Sequence, residues 1–437
     1  MSETTVATTV AMTGGTAVTP PDGRLVRPAV PDPATAPDGD QPQHAAAPAT
    51  GWSRWRPSVL AGLWTWLAAL GMYAVVTLAG WMPMQDLAAK AGDPPVKLLD
   101  AVDAWNRWDT TWYLIVADSG YHWDTRATAF YPGYPLLVRW ANALLPGGSF
   151  QAGLFVAALC CLGALIVIHR LAAEALDEKH ARRTVFYLMA FPTGFYLVAA
   201  YNESLFILLT AASLYLMRRR MWWWAGLAAG LASGTRMAGV LIGLAFVYEY
   251  LRQHGWSIRK IRWDALSVLL VPSGLLAYMF YLWRSFGDPL YFLEAQKAWF
   301  HDGFQFPWKV VYDTFQLIWT TDRWLSPDTA RNIFNLGTAL LALTLFVLAF
   351  VGPWKLGKEN HYLVVFAALP ILLPLSNPIH SFYPLSSMWR FALECIPMFM
   401  VLARMGRNGF FDRFYTLGAV GLQGVMIITF MQNNFVA

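Results

Sequence analysis

Apolar residues in this chain come in long runs separated by short polar or basic segments. The runs near 58–81, 151–168, 264–284, 332–352 and 415–431 approach or exceed the roughly 18–20 residues that a bilayer-crossing helix needs. Shorter runs near 184–200, 203–217, 361–375 and 391–404 share that composition and are read as further spans. Short basic connections mark the cytoplasmic side. They hold Lys179, Arg182 and Arg183, then Arg218, Arg219 and Arg220, then Arg252, Arg259, Lys260 and Arg262, and recur at 353–360 and 404–413. Segments 82–150, 285–331 and 376–390 then fall outside, and Tyr201-Asn202 becomes an external hairpin.

The interval between Arg220 and Arg252 breaks the pattern. Both flanking clusters belong to the cytoplasm, yet only about thirty residues separate them and two full crossings need about forty. The consistent solution is two short helices meeting near Gly234-Thr235-Arg236. Broken helices at membrane depth are tolerated where they line a polar cavity, so Arg236 is expected to face a site and not lipid. The expected fold is an all-α polytopic membrane protein of about eleven crossings, N-terminus inside and C-terminus outside. Residues 1–52 are rich in Ala, Thr, Pro and Asp, cannot bury a core, and read as a disordered cytoplasmic tail. Met1 lacks the basic region and adjoining apolar run of a signal peptide. Residues 53–437 are the expected membrane domain, with 82–150 as its first external loop.

Composition agrees with this reading. The chain has 437 residues, 57% hydrophobic and only 14% charged, where soluble domains carry about 25% charge. The net charge of +5 resides in short loops between apolar runs and does not point to nucleic acid. Of the three cysteines, Cys160, Cys161 and Cys395, none has a disulfide or zinc spacing.

Polar residues outside the basic loops gather on the outer side. Arg107, Asp109, Asp118 and His122 lie in the first external loop, and Asn202 and Glu203 at the second turn. Arg236 is at the broken-helix tip, Gln296, Trp299 and His301 are in 285–331, and Ser387 and Arg390 open a later span. Ionisable groups at membrane depth are costly and default to function; several on one side describe one site. The segment Trp105-Asn106-Arg107-Trp108-Asp109-Thr110-Thr111-Trp112-Tyr113 sets a carboxylate and a guanidinium among aromatics. Asp109 reads as a general base, or as an ion-pair partner of Arg107. Glu203 orients an acceptor, adds a second acid-base group, or caps its helix. Arg236 and Arg390 suit a phosphate, which guanidinium binds through paired hydrogen bonds, or snorkel to the interface. Trp105, Trp108, Trp112 and Tyr113 offer flat faces to a sugar or an isoprenoid chain. His122 and His301 read as interfacial hydrogen-bonders, and Trp222-Trp223-Trp224 as an interfacial aromatic belt. No phosphate-cradling glycine loop, nucleotide fingerprint or HExxH occurs. No Asp-x-Asp occurs within the membrane domain at 53–437 either, so a divalent cation, Mg or Mn, is allowed but not demanded.

Taken in order, several segments resemble the PIG-V-like mannosyltransferases. They are Trp105-Asn106-Arg107-Trp108-Asp109 with Trp112-Tyr113, Gly120-Tyr121, and Ala129-Phe130-Tyr131-Pro132-Gly133-Tyr134-Pro135-Leu136. Phe191-Pro192 with Tyr201-Asn202-Glu203-Ser204-Leu205-Phe206 follows, Asn202 standing where Thr is usual. Then come Trp224-Ala225-Gly226 with Thr235-Arg236 and Gly239, Gln296 with Trp299, Pro307 and Trp308, and Ser387-Met388-Trp389-Arg390-Phe391 with Pro397. The resemblance covers most of residues 55–435. It implies a GT-C fold with its active site in external loops and a mannosyl donor on a polyprenyl phosphate. It also implies an inverting single displacement, with Asp109 at the position of the family's catalytic carboxylate. Arg236 and Arg390 would then meet the donor phosphate; Arg107, Trp105, Trp108, Tyr113, Glu203 and Gln296 would line sugar and acceptor. The acceptor, a hydroxyl on a lipid, glycan or protein, does not transfer by resemblance.

Three other readings stand beside this one. A GT-C enzyme could use another polyprenyl-phosphate sugar, since nothing in the sequence reads stereochemistry. A lipid transporter would equally explain a broken helix and a midplane arginine, though not an acidic, aromatic loop outside the membrane. A non-catalytic membrane partner subunit would not need Asp109 and Arg236 intact. Ala, Gly and Trp usage without a retrieval signal favours a bacterial plasma membrane; a eukaryotic source would place the chain in the endoplasmic reticulum.

Overall fold

The computed structural model describes residues 51–90, 100–122, 124–297, 303–324, 326–378, 382–434 and 436. The tail at 1–50, together with Trp299 and His301, lies outside the described residues.

Among the described residues all regular structure is helical. The first segment holds α1 (Gly51–Lys90), α2 (Asp100–Asp103), α3 (Asp109–Ser119), a 3-10 turn at Thr125–Ala129 and α4 (Gly133–Leu144). Next come α5 (Ser149–Ala175), α6 (Glu178–Ala190), α7 (Glu203–Arg218), α8 (Trp222–Ser233) and α9 (Ile242–Gln253). The rest is α10 (Ser273–Phe286), α11 (Tyr291–Lys297), α12 (Pro307–Trp319), α13 (Pro327–Phe350), α14 (His361–Ser376), α15 (Met388–Leu393), α16 (Ile396–Met405) and α17 (Gly409–Met431). The segment expected as a polar loop at 82–150 is therefore largely helical.

Five helices are long and apolar enough to cross a bilayer: α1, α5, α13, α14 with the turn before it, and α17. The 3-10 helix Trp263–Leu270 and α10 make a sixth if that pair, bent by 44°, is one span. The described helices thus provide five or six candidate crossings where about eleven were expected. The runs at 184–200 and 391–404 are each two pieces. Before Pro192, α6 stops at Ala190, and a short 3-10 turn, Gly194–Leu197, leads towards α7. The second run divides at Glu394-Cys395, with Pro397 in the first turn of α16. These half-helices are almost wholly buried in protein, where irregular backbone finds partners that lipid would not supply.

The broken pair expected between the basic clusters is present. The chain leaves α8 at Gly234, turns through Thr235 and Arg236, passes a 3-10 turn at Met237–Leu241 and enters α9. On its other side α8 meets Trp263–Leu270 and α10 backbone to backbone. A Cβ on Gly226 would stand 2.3 Å from the Ser267 carbonyl oxygen, and one on Gly230 2.5 Å from that of Leu270. Small residues at such spacing let membrane helices approach closely. Around this frame α5 packs on α1, α4, α6 and α7, while α13 packs on α12, α14, α15 and α16. All three cysteines are buried and unbridged.

Candidate active site

Four separate stretches of chain deliver one chain of charges. Asp109 is the first residue of α3 and Glu203 the first of α7, the helix end where negative charge is favoured. Arg236 occupies the break after α8, and Arg390 lies in the six-residue α15 with Glu394 at its end. Two backbone contortions help to aim these groups. Trp108, just before Asp109, has φ 55°, and Ser387, just before α15, has φ 66°. Non-glycine residues rarely take such values, and strain of this kind clusters at functional sites.

Arg390 bridges two carboxylates. Its Nη1 donates to Asp109 Oδ2 at 2.9 Å, and its Nε and Nη2 donate to Glu203 Oε1 at 3.0 and 2.5 Å. Arg236 continues the series, with Nη2 donating to Glu203 Oε1 at 3.1 Å and Nη1 to Glu394 Oε1. The order is Asp109, Arg390, Glu203, Arg236, Glu394. Aromatic rings wall the guanidiniums: Tyr196 and Tyr201 each lie 5.0 Å from Arg390, and Phe206 and Phe391 lie 5.8 and 5.7 Å from Arg236. Exposure falls steeply from Asp109 to Glu203, and Arg236 beyond them is 18% exposed. The Asp109 side chain is 28% exposed, Arg390 6% and Glu203 0%. One carboxylate therefore opens outward while the interior groups hold it.

The helix break is itself pinned. The Gly133 N–H donates to the Gly234 carbonyl at 2.9 Å, and Asn202 Nδ2 donates to the Thr235 carbonyl at 3.0 Å. A Cβ on Gly133 would come within 2.6 Å of Thr235 Cγ2, so α4 docks on the break at a spot where only glycine fits. Asn202→Ala leaves a buried carbonyl unpaired, a loss of about 1–3 kcal/mol, and loosens the seat of Arg236. The expected result is a lower Tm, with a transfer defect larger than the stability loss alone explains. Unchanged activity in the folded variant would remove Asn202 from this role.

The structure brings together Asp109, Glu203, Arg236 and Arg390 and adds Glu394. Glu394 was legible as the one acid inside the apolar run 391–404 but was not singled out. Other expectations are corrected. Arg107 does not pair with Asp109; its Nε donates to the Met431 carbonyl and its Nη1 to that of Asn106, each at 3.2 Å. Trp105 offers no open face, being a core residue against Tyr73, Phe195 and Phe430 with its indole N–H on Thr77 Oγ1. Tyr113 is likewise buried, edge-on to Phe130, Tyr134 and Tyr201. Trp108 is about one-third exposed. Trp112 stacks on Phe130 beneath the Arg126 guanidinium; Arg126 also hydrogen-bonds Asp124 and holds that carboxyl below its usual range. Gln296, on α11, joins none of these ion pairs. His122 packs on Phe286, and Asp118 accepts from Ser149. Neither Arg236 nor Arg390 is held in reserve for a phosphate, because both are matched by carboxylates. Among the described residues no group of three His, Cys, Asp or Glu could hold a metal ion.

Comparison with known proteins places these residues in context. Residues 131–293 match the family model described as dolichyl-phosphate-mannose-protein mannosyltransferase. GPI alpha-1,6-mannosyltransferase 2 of Mus musculus is 25% identical over 62% of this chain and 62% of its own length. GPI mannosyltransferase 2 of Yarrowia lipolytica is 31% identical over 25% of this chain and 32% of its own. The chain thus spans less than two thirds of the curated relatives it matches. Among solved structures, ArnT from Cupriavidus metallidurans bound to undecaprenyl phosphate aligns at a TM-score of 0.47 and 13% identity, over 84% of this chain and 76% of that one. The oligosaccharyltransferase of Archaeoglobus fulgidus aligns at 0.40 and 12%, over 84% and 55%.

Proposed function

We propose that the chain is a PIG-V-like mannosyltransferase of the GT-C class, a membrane enzyme that moves mannose from a polyprenyl-phosphate-mannose to a hydroxyl acceptor. The acceptor is a lipid-linked, glycan or protein group on the external face. The observation that carries this reading is the outward-facing carboxylate of Asp109, fixed from behind by Arg390 and Glu203. In the proposed step Asp109 takes the acceptor's hydroxyl proton as that oxygen bonds to the anomeric carbon. The bond from that carbon to the phosphate oxygen breaks, and the phosphate leaves with the electron pair. General-base assistance of this kind is worth roughly 10²–10⁴-fold. Arg390 and Arg236 add positive potential where the phosphate charge develops, in a poorly solvated place where such charge acts strongly. Another polyprenyl-phosphate sugar would use the same arrangement. A transporter reading has less support, because Gly133 and Asn202 pin the helix break that such a reading would need to move.

The test is transfer from synthetic radiolabelled polyprenyl-phosphate-mannose to membrane lipids, glycans or protein by the purified full chain. Labelled product is expected, and its extraction class identifies the acceptor. Absence of transfer from mannosyl, glucosyl and arabinosyl donors alike, by folded protein, would sink the proposal. Trp108 gives a finer check. Its φ of 55° and ψ of −119° suit glycine, and strain at such a position costs of order 1–3 kcal/mol. Trp108→Gly is expected to hold or raise Tm while raising KM, since the indole face is the part offered to sugar. An unchanged KM would reduce Trp108 to a strained turn.

A further inference from the structure

The site holds three carboxylates and two guanidiniums. Both guanidiniums are already matched by carboxylates, so an anionic sugar donor gains from a further cation close by.

The seam between α13 and α15 supplies one. Arg331, in the early turns of α13, lies 4.2 Å over the Tyr383 ring, and its Nη2 donates to Ser386 Oγ at 2.8 Å. Ser386 immediately precedes the left-handed Ser387 that starts α15 and so leads directly to Arg390.

The same seam leaves polar groups unsatisfied. Asn335, one turn along from Arg331, is fully buried, and neither atom of its amide has a hydrogen-bond partner. Trp389, beside Arg390, is buried with its indole N–H unpartnered. Asn332 donates to the Phe382 carbonyl at 2.9 Å but leaves Oδ1 unpartnered. Buried polar groups are nearly always paired, and each exception needs a reason. Asn332 and Asn335 lie on α13 and Trp389 on α15, which packs against it, and α13 is otherwise apolar enough to cross a membrane.

We infer that the α13–α15 seam is the subsite for a glycosyl-phosphate headgroup, with Arg331 gripping the phosphate and Asn332, Asn335 and Trp389 bonding its oxygens or the sugar hydroxyls. The inference rests on the glycosyltransferase reading above and assigns the phosphate contact to a residue outside the carboxylate chain. Guanidinium suits the task because its planar fork meets phosphate oxygens in pairs.

Binding of a long-chain polyprenyl phosphate to the full chain in detergent tests it, with the uncharged polyprenol as control. Wild type and Asp109→Asn are expected to bind the phosphate. Arg331→Gln should weaken that binding about tenfold or more, as loss of a charge-assisted hydrogen bond implies, and Arg331→Lys should restore part of it. Neither variant should alter polyprenol binding. Asn335→Leu removes a buried unsatisfied amide, so it should raise Tm and yet raise KM for the mannosyl donor. Unchanged phosphate binding in Arg331→Gln, in a preparation whose wild type transfers mannose, overturns the subsite and leaves the enzyme reading standing. Wild type that neither binds polyprenyl phosphate nor transfers sugar overturns both.

Discussion

Asp109→Asn is expected to lower sugar transfer by roughly 10²–10⁴-fold, with little change in Tm. Asparagine keeps the shape, and its amide oxygen can still accept from Arg390 Nη1, which now bonds Asp109 Oδ2 at 2.9 Å. What it cannot do is take a proton. The effect should therefore fall on kcat, equivalent to about 3–5 kcal/mol of transition-state stabilisation, and not on binding of the sugar donor. Binding could even improve, since the substitution removes one negative charge from a site whose carboxylates outnumber its guanidiniums. The partial exposure of Asp109 makes the expectation sharp. Glu203 is fully buried and bound by two arginines, so it lacks the access to the acceptor that replacing the lost base would need. Single-turnover transfer by wild type and variant, matched for Tm, decides the matter. A variant that transfers within a few-fold of wild type would leave Asp109 as an ion-pair partner and nothing more.

The sequence made part of this legible. Helices α1, α5, α13 and α17 were readable because each buries or faces lipid with a long apolar run. The break at Gly234–Arg236 was readable from a conflict: two basic clusters on one side and too few residues between them. The breaks at Phe191-Pro192 and Glu394-Cys395 were not readable as the ends of spans, because an interior half-helix has the same composition as a crossing. At the site, residue type and membrane side gathered Asp109, Glu203, Arg236 and Arg390, but pairing is a three-dimensional fact. Asp109 and Arg390 are 281 positions apart, whereas Arg107, two residues from Asp109, turns to the end of α17 instead. Trp105 and Tyr113 looked like open faces because a polar, charged segment suggested solvent; the turn after α2 and α3 itself instead tuck them against the bundle. Glu394 was visible as a charge in an apolar run, the very signal that marks intramembrane function, and only its ion pair with Arg236 shows what it does.

Arg390 should be the least replaceable residue of the chain. Among the described residues it alone joins the partly exposed carboxylate to the buried one, and it is itself almost wholly buried between Tyr196 and Tyr201. Arg390→Met keeps much of the apolar bulk but strands Glu203 with Arg236 as its remaining partner and leaves Asp109 without its guanidinium. Breaking a buried ion pair from one side costs about 3–5 kcal/mol, because the remaining charge stays desolvated. A large fall in Tm is therefore expected, together with a loss of transfer at least as great as that of Asp109→Asn. Arg390→Lys should recover part of the stability and little of the activity: one ammonium supplies charge but cannot reproduce the fork that meets Asp109 and Glu203 together. The double variant Arg390→Met with Glu203→Gln separates cause from consequence. Glutamine removes the stranded charge, so the pair should be less destabilised than the sum of the single changes, a coupling of the size seen for residues in one ion-pair network. Additive effects would mean that Arg390 and Glu203 act independently, and the bridge that fixes Asp109 would then have to be sought elsewhere.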